Sequence, residues 1–148
     1  MFRHLLVPTD GSPESEAAAR QAAALARALG GRITGLCVKP RFRAFTLRPE
    51  AVEDTAQDSW DEDRHAREAL AALERAAAQA GVPFEGVTVE ASQPWKAILD
   101  EARARGCDAV ALASHGRTGL GGALLGSVTR RVLAHASIPV VVYRKPAV

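Results

Sequence analysis

DAVALASHGRTGLGGALLGS, residues 108–127, runs from an uninterrupted apolar stretch into a loop with five glycines in fourteen residues, and a helical pattern follows it. The apolar stretch reads as a strand buried on both faces, as in the middle of a parallel sheet. Glycine packs nothing and loses the most entropy on folding, so such a cluster marks a place where backbone comes close to something else. In an open parallel sheet, ligands bind beyond the carboxyl ends of the strands, where the strand order reverses. Here the loop delivers the chain to a helix N-terminus at Ser127, Val128 and Thr129, whose unpaired N–H groups and positive dipole end favour an anion. Phosphate is the natural occupant.

The rest of the chain alternates short apolar runs with amphipathic ones, the pattern of a parallel sheet covered by helices on both faces. HLLVPTD (4–10) reads as the first strand. Ser12 and Pro13 then supply an N-cap and a first-turn proline for a helix that runs through Ala18, Ala22, Leu25 and Leu29 to Gly30 and Gly31. RITGLCV (32–38) is the second strand. GVTVEA (86–91) is the third, and its alternation of Val87 and Val89 with Thr88 and Glu90 suggests an edge. Between them lies a helix over 60–80, opening as early as residue 49, with Ala66, Leu70, Leu73 and Ala77 in register. The segment 39–48, KPRFRAFTLR, has no periodicity and reads as a surface loop or subunit contact. Pro94 opens a helix with Trp95, Ile98, Leu99 and Ala102 inward and Gly106 at its end; the last helix covers 127–135, and VVVYR (140–144) is the final strand.

A chain of 148 residues predicts a single domain, 1–148, with a real core. A net charge of +2, with interspersed charges, argues against a nucleic-acid surface. No apolar stretch approaches the ~18 residues that span a bilayer, and 1–10 lacks the regions of a signal peptide, so the expectation is a cytoplasmic protein that does not engage a membrane. Cys37 and Cys107, with no CxxC, read as reduced core residues, and His4, His65, His115 and His135 share no ligand spacing, so no metal site is expected.

Two standard phosphate loops fail. Gly121 and Gly126 have the spacing of GxxxxGK[ST], but Ser127 and Val128 stand where Lys and Ser or Thr are needed. GxGxxG starting at Gly119 and Gly121 meets Leu124 at its third glycine.

What the stretch does resemble, together with LLVPTDGSPES at the other end, is the universal stress protein family: Ala113-Ser-His-Gly116, nine residues, Gly126-Ser127, then VTRRVLAHASIPVVVYR. The likeness spans residues 2–145. It implies an α/β, Rossmann-like open sheet of five parallel strands in the order 3-2-1-4-5, a homodimer and, in one branch, bound adenine nucleotide: ATP, or ADP or AMP, with Mg²⁺ or Mn²⁺ carried on the phosphates. That branch has G-x-x-G where this chain has Ala113 in the first place. The resemblance assigns the nucleotide to Pro8, Thr9, Asp10, Val38, Ala113, His115, Gly116, Arg117, Gly126, Ser127, Val128 and Thr129, with Asp10 on the ribose, Val38 on the adenine, and Gly116, Gly126 and Ser127 on the phosphates.

The residue chemistry has its own say. Asp10 suits ribose hydroxyls, and equally an Asx turn into the first helix; the two are compatible. Ser127 alone reads as a helix N-cap, and His115 and Arg117 as solvated loop residues. An alanine at 113 fits if the backbone there keeps a negative φ. If it closes the site instead, the alternative is a dimeric stress-related scaffold without nucleotide. No nucleophile, base and orienter come together and no carboxylate pair stands near the loop, so the expectation is a binding protein with at most slow hydrolysis, not an enzyme, whose surface is read by an unidentified protein partner. An adenylating relative ranks last, for want of a second domain. The final strand, Val140, Val141, Val142 and Tyr143, is apolar on both faces yet falls on an edge in the implied order, which invites pairing with a second copy.

Overall fold

The computed structural model describes residues 2–41, 51–116 and 125–144, the side chains of 51–59 excepted. The chain runs β1 (His4–Pro8), α1 (Pro13–Leu29), β2 (Arg32–Pro40), α2 (Ala51–Ala80), β3 (Phe84–Ala91), α3 (Pro94–Ala104), β4 (Ala109–Ala113), α4 (Ser127–His135) and β5 (Val140–Tyr143). All pairings are parallel and the order is β3-β2-β1-β4-β5, the doubly wound arrangement expected.

Period two along the central strand sorts the core. Leu5 and Val7 face α1 and α2 with Ala19, Ala22, Leu73 and Ala77, whereas Leu6 faces α3 and α4 with Ile98, Ala102 and Val132. Alanine lines the inner side of α1, which lets that helix lie close on the sheet; Leu29, read as part of that face, is instead exposed at the helix end. Ser12 caps α1 by accepting the Ser15 N–H at 3.1 Å, Pro13 occupies the first turn, and Gly30 closes the helix at φ 66°. β1 stops at Pro8, before the expected Asp10, while β3 begins two residues earlier than its alternation suggested, where Phe84 packs against the core.

At the amino ends of the strands, His4 Nε2 lies 2.7 Å from Thr34 Oγ1, and the Asp108 carboxylate accepts the N–H groups of Arg3 and His4. Burial first, and the Arg32 charge second, push the His4 pKa below its ordinary 6.5. The unfolded chain therefore takes up the proton first as pH falls, and stability present above about pH 6.5 is lost below it, down to the lowered folded value. Urea midpoints between pH 7 and 5 should fall in wild type and fall less in His4→Gln; parallel slopes would exclude His4 as the cause. Cys107, buried nearby, has its thiol pushed up to about 11, mainly by burial, and both cysteines are buried, as expected of core residues.

Candidate functional site

Order β2-β1-β4 places the switch point between β1 and β4, and the two carboxyl ends meet there. Beyond β1 the chain makes a tight turn. Thr9 N–H donates to Leu36 O at 2.8 Å, Thr9 Oγ1 accepts the Gly11 N–H, and Gly11 has φ 78°, open to glycine. Asp10 Oδ1 accepts the Ser12 N–H at 2.9 Å and the Ser15 hydroxyl at 2.7 Å. The Asx turn read from the sequence is thus real, and it orients the carboxylate. Across the crevice, a Cβ on Gly116 would overlap Asp10 Oδ2, so only glycine lets the backbone just past β4 approach this closely.

The end of β4 is tied to α4. Gly126 N–H donates to Ser114 O at 2.8 Å, and the buried Thr129 hydroxyl donates to Ala113 O at 2.8 Å. Gly126, not Ser127, is the N-cap, at φ −63° and ψ 159°. Ser127 is the first helical residue and exposed; the Ser114–Gly126 bond decides between two good capping residues one position apart. The first bond of α4 runs from Arg130 N–H to Gly126 O, so the amides of Ser127, Val128 and Thr129 precede the helical ladder and face outward from its N-terminus. Thr129 offers its amide there, its hydroxyl being engaged inward.

Ala113 sits in β4, buried and paired with Tyr143. Phe2 is the one non-glycine residue with positive φ among the described residues, so the backbone at 113 does not require the glycine of the motif. His115, expected to be solvated, is half-buried: Nδ1 lies 3.1 Å from Ser114 Oγ, and Nε2 is buried without a hydrogen-bond partner among the described residues. Pro8 ends β1, and Val38, paired with Val89, lies on the α3 and α4 side of the sheet. The structure therefore gathers Thr9, Asp10, Ala113, Gly116, Gly126 and Thr129 at one crevice. Arg117, Gly119, Gly121, Gly122 and the segment 42–48 lie outside the described residues. Among the described residues, no three His, Cys, Asp or Glu side chains could hold a metal ion, and no helix is long and apolar enough to cross a membrane.

Two features escaped the sequence. His65 of α2 donates from Nε2 to the Asp10 carbonyl at 2.5 Å, a contact with no short-range signal. Trp95 and His135 stack at 4.4 Å beside a cavity of about 430 Å³ between α3 and α4, also lined by Leu99, Arg103 and Ile138. None of the residues around this cavity is among those gathered at the crevice.

Residues 1–144 match the model of the "Universal stress protein family". A universal stress protein from Thermus aquaticus is 30% identical over 147 residues, covering 97% of this chain and all of the relative. Among solved structures, universal stress protein UspA from Lactobacillus plantarum superposes with a TM-score of 0.80 at 25% identity, over 97% of this chain and 98% of that one. Likeness in fold extends to a universal stress protein from Archaeoglobus fulgidus in complex with dAMP (TM-score 0.63, 22% identity, 96% and 98% coverage) and to one in complex with cAMP (0.72, 20%, 96% and 97%). The paired strand ends, the glycine approach and these matches agree: the chain belongs to the universal stress protein family.

Proposed function

We propose that this chain binds an adenine nucleotide, with ATP as the leading candidate, in the crevice between the ends of β1 and β4, and that it acts as a regulator in the stress response and not as an enzyme. The observation that carries this reading is the close approach of Gly116 to the Asp10 carboxylate, beside an α4 N-terminus whose first amides point outward. A carboxylate turned across a glycine backbone suits ribose hydroxyls, and the helix end suits phosphates. Relatives of the same fold hold cAMP and dAMP, which supports adenine as the base. Mg²⁺ or Mn²⁺ would be held through phosphate oxygens, which suits a crevice without a carboxylate cluster among its described residues. Heat-released supernatant of the purified protein, run on an ion exchanger, should contain adenine nucleotide. Turnover should stay below about one per minute, far under the usual enzyme median of about 10 s⁻¹; faster hydrolysis would make it an ATPase.

A homodimer through β5 is part of the same reading. β5 is the sheet edge, and its Val140, Val141, Val142 and Tyr143 are all only half-buried. The carbonyls of Pro139 and Tyr143 accept bonds from β4, so alternation turns the amides of Val140 and Val142 to the open side. Val142→Pro removes an outward amide and spares the β4 ladder. Light scattering should show dimers in wild type and monomers in this variant; dimers in both would assign the contact to another surface.

A further inference from the structure

The turn that carries Asp10 is closed from both sides, and one side belongs to a distant helix. Within the turn, the Ser12 and Ser15 donors fix the carboxylate relative to α1, but they do not fix the peptide unit between Asp10 and Gly11. With Gly11 at φ 78°, that unit borders a residue free to enter other regions of conformational space, so its orientation depends on what holds its two polar groups: Thr9 Oγ1 accepts the Gly11 N–H at 3.2 Å, and a second group holds the Asp10 carbonyl. The group on the carbonyl is His65. A carbonyl only accepts, so Nε2 carries the proton, and the imidazole fills the space over Gly11: a Cβ there would lie 2.9 Å from His65 Cε1. Two residues earlier on α2, Asp63 pairs with Lys39, the residue after Val38, and Lys39 also lies 3.6 Å from Glu90 of β3. One stretch of α2 thus grips the ends of both β1 and β2.

We propose that His65 is a positioning residue for the nucleotide site: its Nε2–H holds the Asp10 carbonyl and thereby aims the Asp10 carboxylate toward Gly116 and the ligand. The inference rests on the nucleotide-binding reading above. His65 itself need not touch the nucleotide, and its effect on affinity passes through Asp10.

The test titrates ATP with Mg²⁺ into the full chain and its variants, with circular dichroism confirming that each is folded at the temperature used. His65→Leu keeps the bulk and removes the donor, and is expected to weaken ATP binding about tenfold, as the loss of one well-placed hydrogen bond would. His65→Gln restores an amide donor near the Nε2 position and should bind within about threefold of wild type. In an Asp10→Asn background, adding His65→Leu should change affinity by less than about twofold, the non-additivity expected of two residues acting as one unit. Wild-type affinity in His65→Leu would overturn the inference. So would a Gln variant as weak as the Leu variant, or a full tenfold loss in the Asn background. If wild type itself fails to bind ATP, the nucleotide reading falls first and the role of His65 falls with it; binding by wild type that is unmoved by His65→Leu removes only the latter.

Discussion

Replacing Gly116 by alanine is expected to lower ATP affinity by at least about a hundredfold, or about 2.7 kcal/mol. The added methyl would overlap Asp10 Oδ2, and that oxygen is not the end of a long, adaptable side chain. Its carboxylate is pinned through Oδ1 by the Ser12 amide and the Ser15 hydroxyl, so relief requires Asp10 to leave its turn or the backbone at Gly116, three residues past β4, to withdraw from it. Either movement opens the crevice at the point where ribose and phosphate would meet. The strain should also cost about 1–3 kcal/mol of stability, as overpacking in a filled site does. Isothermal titration and urea melts read the two effects separately, and an alanine variant that binds as wild type would show that nothing functional depends on this approach.

The largest expected loss of stability lies under α2. Leu73 is fully buried against β2 where Gly35 leaves room: a Cβ at 35 would sit 2.6 Å from Leu73 Cδ2 and 2.7 Å from Phe84 Cε2. Leu73→Ala removes the side chain that fills this hollow and should cost about 2–5 kcal/mol, from lost burial and the cavity left behind. Gly35→Ala alone should cost about 1–3 kcal/mol from overpacking, and the double variant less than the sum, because the new methyl occupies part of the emptied space. Additive losses in urea melts would mean that the two positions do not share one cavity.

Much of this was legible because the chemistry is local. Period-two apolar runs, the Ser12 and Pro13 helix start and the Gly30 stop mark their elements within a few residues. The alternation of Val87 and Val89 with Thr88 and Glu90 placed β3 at an edge, where it lies. Strand order as a whole came from the family resemblance, since periodicity does not say which strand neighbours which. What was misread at Gly126, and what was missed at Thr129 and His65, has one cause: a partner distant in sequence decided it. Gly126 caps α4 because its amide reaches Ser114, twelve residues back. Thr129 turns its hydroxyl inward because the Ala113 carbonyl at the end of β4 needs a donor. His115 is different: it is half-buried, with Nδ1 beside Oγ of its neighbour Ser114, where its loop position suggested solvent. His65 reaches the Asp10 carbonyl across fifty-five positions of sequence, and only the packing of α2 over the β1–α1 turn brings the two together.

Titration of the nucleotide-stripped chain with ATP and Mg²⁺ bears most directly on what the crevice is for. Saturable binding with a dissociation constant on the order of micromolar, about −8 kcal/mol, is the predicted result. The same crevice would then hold nucleotide with Ala113 in place of the motif's first glycine. No binding at millimolar ATP would contradict it, leaving Gly116 and the α4 N-terminus as a family shape without the ligand.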